Sequence, residues 1–292
     1  MKIISSRLER IRKNKKKYLK AFLRSPIGFF TPLMPLKIRS IFDARLQDKQ
    51  LRYKKTIDWN ALNKFRETLF KNLELRKSIS LDDFLKDERI KSFKDDSKTQ
   101  LLDNLLKQSD KSTAHNYHYI YQIILEDLLK NNSGNINIAE LGIGTFYLDT
   151  PSNMFLYGEP GASLRAFRNY DKRIFVTGGD IDKRILFNED RIQTFHVDQL
   201  ELSSLEEFML KEDFKLIIDD GLHYPHSNLN FLSCAIEKYI DKSGRWIVIE
   251  DIEIITENFW QSIIKLLESL VDIWLVKASK NPNIVMLVIR VK

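Results

Sequence analysis

The sequence predicts an α/β fold: a doubly wound, mostly parallel sheet with a C-terminal antiparallel hairpin, preceded by a helical region. Three observations predict it. From about residue 134 onward, short apolar β-type runs alternate with amphipathic helical segments, which is the pattern of repeated β-α units. The last two apolar runs, IWLVKAS and IVMLVIRV, are separated only by the turn KNPN. That connection is too short for a helical crossover, so the two runs pair antiparallel and make one edge of the sheet antiparallel. Upstream, residues 45–133 read as helices with polar connectors, because apolar side chains recur three and four positions apart.

Three regions follow: a basic amphipathic segment over 1–44, a helical region over 45–133 and an α/β domain over 134–292. In the helical region, ALNKFRETLFKNLELRK has helical spacing. SLDDFLKDERIKSF opens on Ser80 ahead of Asp82 and Asp83, an N-cap with acidic first-turn residues. NYHYIYQIILEDLLKNNSGN is a longer helix that stops at Asn131, Asn132 and Gly134. The α/β domain then runs strand INIAEL, helix GASLRAFRNY, strand RIFVTGGDID, short strand FHVD, helix LSSLEEFML, strand FKLIIDDG and helix SNLNFLSCAIEKYI. Strand RWIVIEDI, helix TENFWQSIIKLLESLV and the hairpin complete it.

Composition bounds the class. The chain has 292 residues, 43% hydrophobic and 11% aromatic, enough to bury a core as one large domain or one domain with an appendage. Cys234 is the single cysteine, which excludes an intrachain disulfide and a zinc cage of cysteines. No apolar run approaches the length of a membrane span, and the N-terminus lacks the apolar stretch and cleavage site of a secretory signal. A cytoplasmic location is expected.

The net charge of +7 is unevenly placed: residues 1–24 carry ten Lys and Arg against Glu9 alone. Ile4, Leu8, Ile11, Tyr18 and Phe22 fall on one side of this segment at helical spacing, and the Pro-broken apolar stretch PIGFFTPLMPLKIR follows. Residues 1–36 therefore suit an anionic membrane surface, peripheral at the inner face. A helix packed on the body of the protein, or a basic face beside a homo-oligomer contact, fits the same pattern. Nucleic acid is not expected as a partner, because no aromatic-basic interleaving or RNA-binding motif accompanies the charge.

In open α/β sheets, ligands bind at the carboxyl ends of the strands. There the sequence places Glu140, Gly142 and Gly144 after the first strand of the α/β domain and Asp180 and Asp182 after the second. Asp198 and Gln199 follow the third strand, Asp219, Asp220 and His223 the fourth, and Glu250 and Asp251 the fifth. Acids thus recur at one rim, strand after strand. The glycine turn has no third glycine at dinucleotide spacing and no cationic clamp for a pyrophosphate. This weighs against a nicotinamide dehydrogenase and suits a cationic nucleoside without phosphates. S-adenosylmethionine has those properties.

The segments AELGIGT, PGASLRAF, GGDIDKRILF, FHVDQ, IIDDGLH and WIVIEDI resemble those of the class I S-adenosylmethionine-dependent methyltransferases. These have a Rossmann-like sheet. Within them, the chain resembles the metal-dependent sugar O-methyltransferases of macrolide tailoring and bacterial polysaccharide clusters. The resemblance covers a little over half of the chain, from about residue 135. It implies that Glu140, Gly142 and Gly144 line the cofactor, that Asp180 holds the ribose hydroxyls and that Asp198 and Gln199 lie near the adenine. It implies Asp220, Glu250 and Asp251 as ligands of a divalent cation, and His223 as general base. Ser163 is the candidate contact for the cofactor carboxylate, and Asp219 a further cofactor contact or a helix cap. The insertion TFYLDTPSNMFLYGEP after the glycine turn departs from the family pattern and reads as a lid or acceptor loop.

The residue chemistry agrees with these expectations. A sugar hydroxyl is a poor nucleophile at neutral pH, and a neighbouring imidazole is suited to take its proton. A hard cation on carboxylates, here Mg2+, can hold vicinal hydroxyls and make one more acidic. The expected acceptor is a sugar, a glycan or a glycosylated small molecule. Other residues have plainer readings. His115 and His118 read as structural or as an acceptor contact, His196 as a strand residue at the rim, His226 as flanking a helix start or as a second catalytic group, and Glu253 as solvated. Tyr147, Tyr157 and Trp260 read as core or as lining an acceptor pocket. Two alternatives keep the same fold: a metal-dependent hydroxylase or hydrolase, and a membrane-recruited protein without catalysis.

Overall fold

The computed structural model describes residues 77–154 and 158–292. The basic segment 1–44, the first part of the helical region and Tyr157 lie outside the described residues. Residues 77–146 and 154–292 lie in one compact unit, whereas Tyr147–Asn153 group apart from it.

Among the described residues, eight strands form one sheet in the order β1-β7-β8-β6-β5-β2-β3-β4. They are β1 (Ile79–Ser80), β2 (Ile136–Leu141), β3 (Ile174–Asp180), β4 (Ile192–His196), β5 (Leu216–Asp219), β6 (Trp246–Glu253), β7 (Val271–Lys277) and β8 (Ile284–Val291). The helices are α1 (Leu81–Leu85), α2 (Asp96–Leu105), α3 (Asp110–Thr113), α4 (Tyr117–Asn131), α5 (Ala162–Tyr170), α6 (Leu202–Met209), α7 (Pro225–Tyr239) and α8 (Glu257–Leu267). The α/β order and the C-terminal hairpin agree with the sequence reading, and the architecture is Rossmann-like.

The placement of the hairpin differs from expectation. Strand β8 runs antiparallel to both β6 and β7, and it lies inside the sheet rather than at its edge. Strand β7 is thereby returned to the common direction and pairs parallel with β1. The two-residue strand β1 was not evident in the sequence. It forms only because Ile79 and Ser80 find the open side of β7. Strand β4 begins three residues earlier than FHVD, at Ile192, where Gln193 and Thr194 pair with Thr177 and Gly178 of β3. Ser80 does cap α1, its side chain accepting from the Asp83 amide.

Alternation along the strands sorts residues to two faces. Ala139, Leu141, Ile217, Ile247, Ile249, Leu275, Leu287 and Ile289 pack with Leu205, Phe208, Phe231, Ala235, Trp260 and Ile264 from α6, α7 and α8. The other face carries Trp246, which stacks on Trp274 and donates from its indole nitrogen to Asp127 of α4 at 2.7 Å. Phe84 of α1 meets Trp274 edge-on. Glu140 and Glu250 share this second face by the same parity as Trp246, so both carboxylates point toward the α3–α4 side. Trp260 is fully buried in the α8 side of the core, so it does not line an acceptor pocket.

Strand β2 lies between β3 and β5. The winding reverses there, and the connections after β2 and β5 leave toward opposite faces, opening a crevice at their carboxyl ends. The turns after these strands are therefore neighbours. A Cβ on Gly142 would lie 2.0 Å from the Asp220 carbonyl oxygen, so only glycine lets the two turns touch.

Asp127 is nearly fully buried and holds the Trp246 indole, the Arg290 guanidinium and the Asn131 amide. Asp127→Ala leaves that indole N–H unsatisfied, and a loss of about 2 to 3 kcal/mol in urea unfolding is expected.

Candidate active site

The crevice is walled by two turns built on unusual backbone. Gly142 and Gly144 have φ of 80° and 84°, a region that glycine occupies without strain. Between them, the Ile143 amide donates to Asp180 Oδ2 at 3.0 Å, and the Asp182 amide donates to Asp180 Oδ1 at 2.8 Å. Asp180 thus fixes the glycine turn to the end of β3. Burial raises its carboxyl from 3.8 to about 6, outweighing the backbone donors that lower it. Asp182 is held by Thr145 at 2.6 Å and by Arg184 at 2.6 Å.

On the facing turn, Asp219 and Asp220 diverge. Asp219 lies fully buried, accepting from Gln199 Nε2 at 2.5 Å and from Asn228 of α7 at 2.8 Å. Gln199 in turn accepts from the Leu222 amide at 2.8 Å. Gln199 and Asp219 therefore brace the turn over residues 219–222. Neither caps a helix. Asp198 accepts from the Leu200 amide at 2.9 Å, shaping the loop after β4. Beyond the brace, His223 adopts φ of 56°, an uncommon conformation for a non-glycine residue. Its Nε2 lies 3.8 Å from Asp220 Oδ1, and its Nδ1 is buried without a hydrogen-bond partner.

Strand β6 supplies the other two acids by breaking its own register. Strict alternation would send Glu250 and Asp251 to opposite faces. The pairing of β6 with β8 shifts between Ile249 and Ile252, and Asp251 takes φ of 52°. This bulge re-aims Asp251 so that it reaches Asp220 and His223. Ligand atoms of Asp220, His223 and Asp251 all lie within 4.8 Å of one another, whereas Glu250 stands outside that group.

Glu250 instead belongs to a buried ion cluster. Lys111 Nζ lies 2.5 Å from Asp220 Oδ2, 2.7 Å from Glu250 Oε1 and 3.2 Å from Glu140 Oε1. Lys111 is 1% exposed and Glu140 not at all. Burial alone would lower the lysine value, but Asp220, Glu140 and Glu250 outweigh it and hold the ammonium charged. One ammonium does not balance three carboxylates. Burial, and then the carboxylates around it, push Glu250 up to about 8.

Glu140 Oε1 also accepts from Ser163 Oγ at 2.7 Å, while Glu140 Oε2 is buried with no partner. An orphaned carboxylate oxygen beside the glycine turn is suited to an incoming ammonium. Ser163 is spent on Glu140, the role its hydroxyl takes here. The donor set of Asp220 and Asp251, with its surplus negative charge, fits a hard divalent cation.

Three side chains at this site escaped sequence reasoning: Lys111, Tyr117 and Tyr121. Tyr117 donates to Asp251 Oδ1 at 2.6 Å, and Tyr121 donates to Glu250 Oε1. His115 stacks on Tyr117, bonds Ser279 at 2.8 Å and lies 3.8 Å from Asp251. The tyrosines carried a signal: two hydroxyls four residues apart, and so on one face of a helix. Lys111, within SDKST, carried none. His118 lies apart, 3.9 Å from Asp103, and His196 and Glu253 are exposed.

Asp180 yields a pH prediction. Its folded value lies above its unfolded one, so its ionisation opposes folding. Stability is full below about pH 4 and falls through about pH 6, by on the order of 3 kcal/mol. Carboxyl 13C NMR of the free protein is expected to show Asp180 titrating near pH 6, and a midpoint below 4 would remove the effect.

No protein-family model matches the chain. A 2'-O-methyltransferase of 8-demethyl-8-alpha-L-rhamnosyl tetracenomycin C from Streptomyces olivaceus is 26% identical over 153 residues, 52% of this chain. The match covers only 36% of that relative's length. Among solved structures, the MycE methyltransferase of mycinamycin biosynthesis, in complex with Mg, SAH and mycinamycin VI, aligns at 17% identity with a TM-score of 0.49. That alignment covers 65% of this chain and 53% of the other. Human methyltransferase-like protein 13 in complex with SAH aligns at 12% identity and a TM-score of 0.40, over 70% and 83% of the two chains. The chain is thus a Rossmann-like α/β protein that resembles the class I S-adenosylmethionine-dependent methyltransferases, and among them the sugar O-methyltransferases.

Proposed function

We propose that the protein is an S-adenosylmethionine-dependent, Mg2+-assisted O-methyltransferase acting on a sugar or glycan hydroxyl. The observation that carries this reading is the convergence of Asp220, His223 and Asp251 beside the glycine turn after β2. Glu140 Oε2 and Asp180 supply the cofactor side: one acid for its ammonium, the other, ionised above about pH 6, for its ribose diol. Asp220 and Asp251 hold Mg2+, which when bound orients vicinal hydroxyls and increases their acidity. His223 takes the acceptor proton. Its Nε2 lies 3.8 Å from Asp220 Oδ1, and its backbone follows directly on the braced turn. Tyr117 orients Asp251 through its hydroxyl. The similarity to a methyltransferase named for a rhamnosyl substrate supports a glycosylated acceptor, and polysaccharide biosynthesis is a setting that supplies one.

Calorimetry is expected to show S-adenosylhomocysteine binding to the full chain, retained in His223→Ala. Methyl transfer to p-nitrophenyl α-L-rhamnoside, the first acceptor of a panel, is expected to fall by about 10²- to 10⁴-fold in that variant. Undiminished transfer would remove His223 as base, and absence of cofactor binding would overturn the methyltransferase reading.

The basic segment 1–36, outside the described residues, serves in this reading as contact with an anionic membrane surface. Flotation on phosphatidylglycerol liposomes is expected for the native chain and is lost when Lys13, Lys15, Lys16 and Lys17 are replaced by Glu; equal flotation of the two would exclude that role.

A further inference from the structure

A lysine ammonium has three donors and no acceptor. In Lys111 two of them are donated to Asp220 and Glu250, after β5 and on β6, and Glu140 of β2 stands within ion-pair distance at 3.2 Å. The side chain arrives from α3, a four-residue helix opened by Ser109 as its cap. It is as buried as the strand residues it touches. Removing an ammonium from water in this way is costly unless its partners are held in good geometry.

The partners are not equivalent. Glu250 gives the same oxygen, Oε1, to Lys111 and to the Tyr121 hydroxyl. Asp220 gives Oδ2 to Lys111, while its Oδ1 turns toward His223. Asp251 does not touch Lys111. It faces Tyr117, His115 and the Asp220–His223 group. The acid cluster is therefore split: an inner part neutralised by Lys111 and an outer part left to the crevice.

We infer that Lys111 is a positioning residue that withdraws Glu250 from the ligand set of the divalent cation, leaving Asp220 and Asp251 as the carboxylates that hold it. This rests on the metal-assisted reading above and departs from the set Asp220, Glu250 and Asp251 that the sequence resemblance implies. Mg2+ commonly binds through one or two carboxylates and keeps waters or substrate oxygens in its remaining positions. A two-carboxylate site leaves more of those positions to the acceptor hydroxyls. Through Glu140 the same ammonium also touches the acid proposed for the cofactor amine, so both halves of the site share one internal counter-charge.

Mn2+ binding to the full chain, without cofactor or acceptor, tests this by calorimetry. Glu250→Gln and Asp251→Asn each keep the size of the side chain and take away its carboxylate, so the difference between them reports which of the two carboxylates holds the ion. Asp251→Asn is expected to bind Mn2+ at least about tenfold more weakly than Glu250→Gln. In a Lys111→Met background Glu250 is released, and Glu250→Gln is then expected to cost about tenfold more than it does with Lys111 present. Equal losses in the two single variants, or a larger loss in Glu250→Gln, would overturn the inference even if Lys111→Met does not fold. Absence of Mn2+ binding by the native chain would overturn the metal reading and this inference together. Binding by the native chain with the order of the single variants reversed would overturn this inference alone.

Discussion

Buried charge is the constraint around which this site is organised. Glu140, Asp220 and Glu250 are brought together at a dry strand rim, where no single one of them would be tolerated ionised. Lys111 makes their company possible. It offsets part of their charge and leaves a remainder. The deficit sets this rim apart from the solvated acids elsewhere on the surface. The tyrosines complete the arrangement by donating to the same carboxylates without adding charge.

The sheet delivers these groups by departing from its own regularity at a few positions. The reversal between β2 and β5 opens the crevice. A bulge in β6 places adjacent acids in one site. Left-handed backbone at His223 and Asp251 aims two side chains that an extended chain would send elsewhere. Conformations of this kind cost on the order of 1 to 3 kcal/mol each. They persist because the surroundings over-determine them: Gln199, Asp219 and Asn228 interlock beneath the turn that carries His223.

Much of this was legible in the sequence, and the reasons are physical. Strand and helix periodicity is a local property, so the α/β order and the acid at the end of each strand could be read directly. Gly142 and Gly144 were legible as a turn after the first strand of the α/β domain. The position of β8 inside the sheet was not legible, because hairpin pairing says nothing about which strand the hairpin docks against. Lys111 was invisible for a related reason. A lysine in a polar connector looks solvated, and only the fold, which brings it to residues 109 and 139 positions away, shows that it is buried. Asp219 and Gln199, which the resemblance gives as cofactor contacts, also brace a turn here, and that role depends on residues brought together only by the fold.

The insertion after the glycine turn leaves and returns at nearly one point. The Gly161 amide donates to the Ile143 carbonyl at 2.7 Å, and the Met154 amide donates to the Thr145 carbonyl at 2.9 Å. A segment stitched at its base in this way is free to vary in length and composition without disturbing the strand ends it springs from. That segment can therefore be exchanged without displacing the strand ends that carry Glu140 and Asp180.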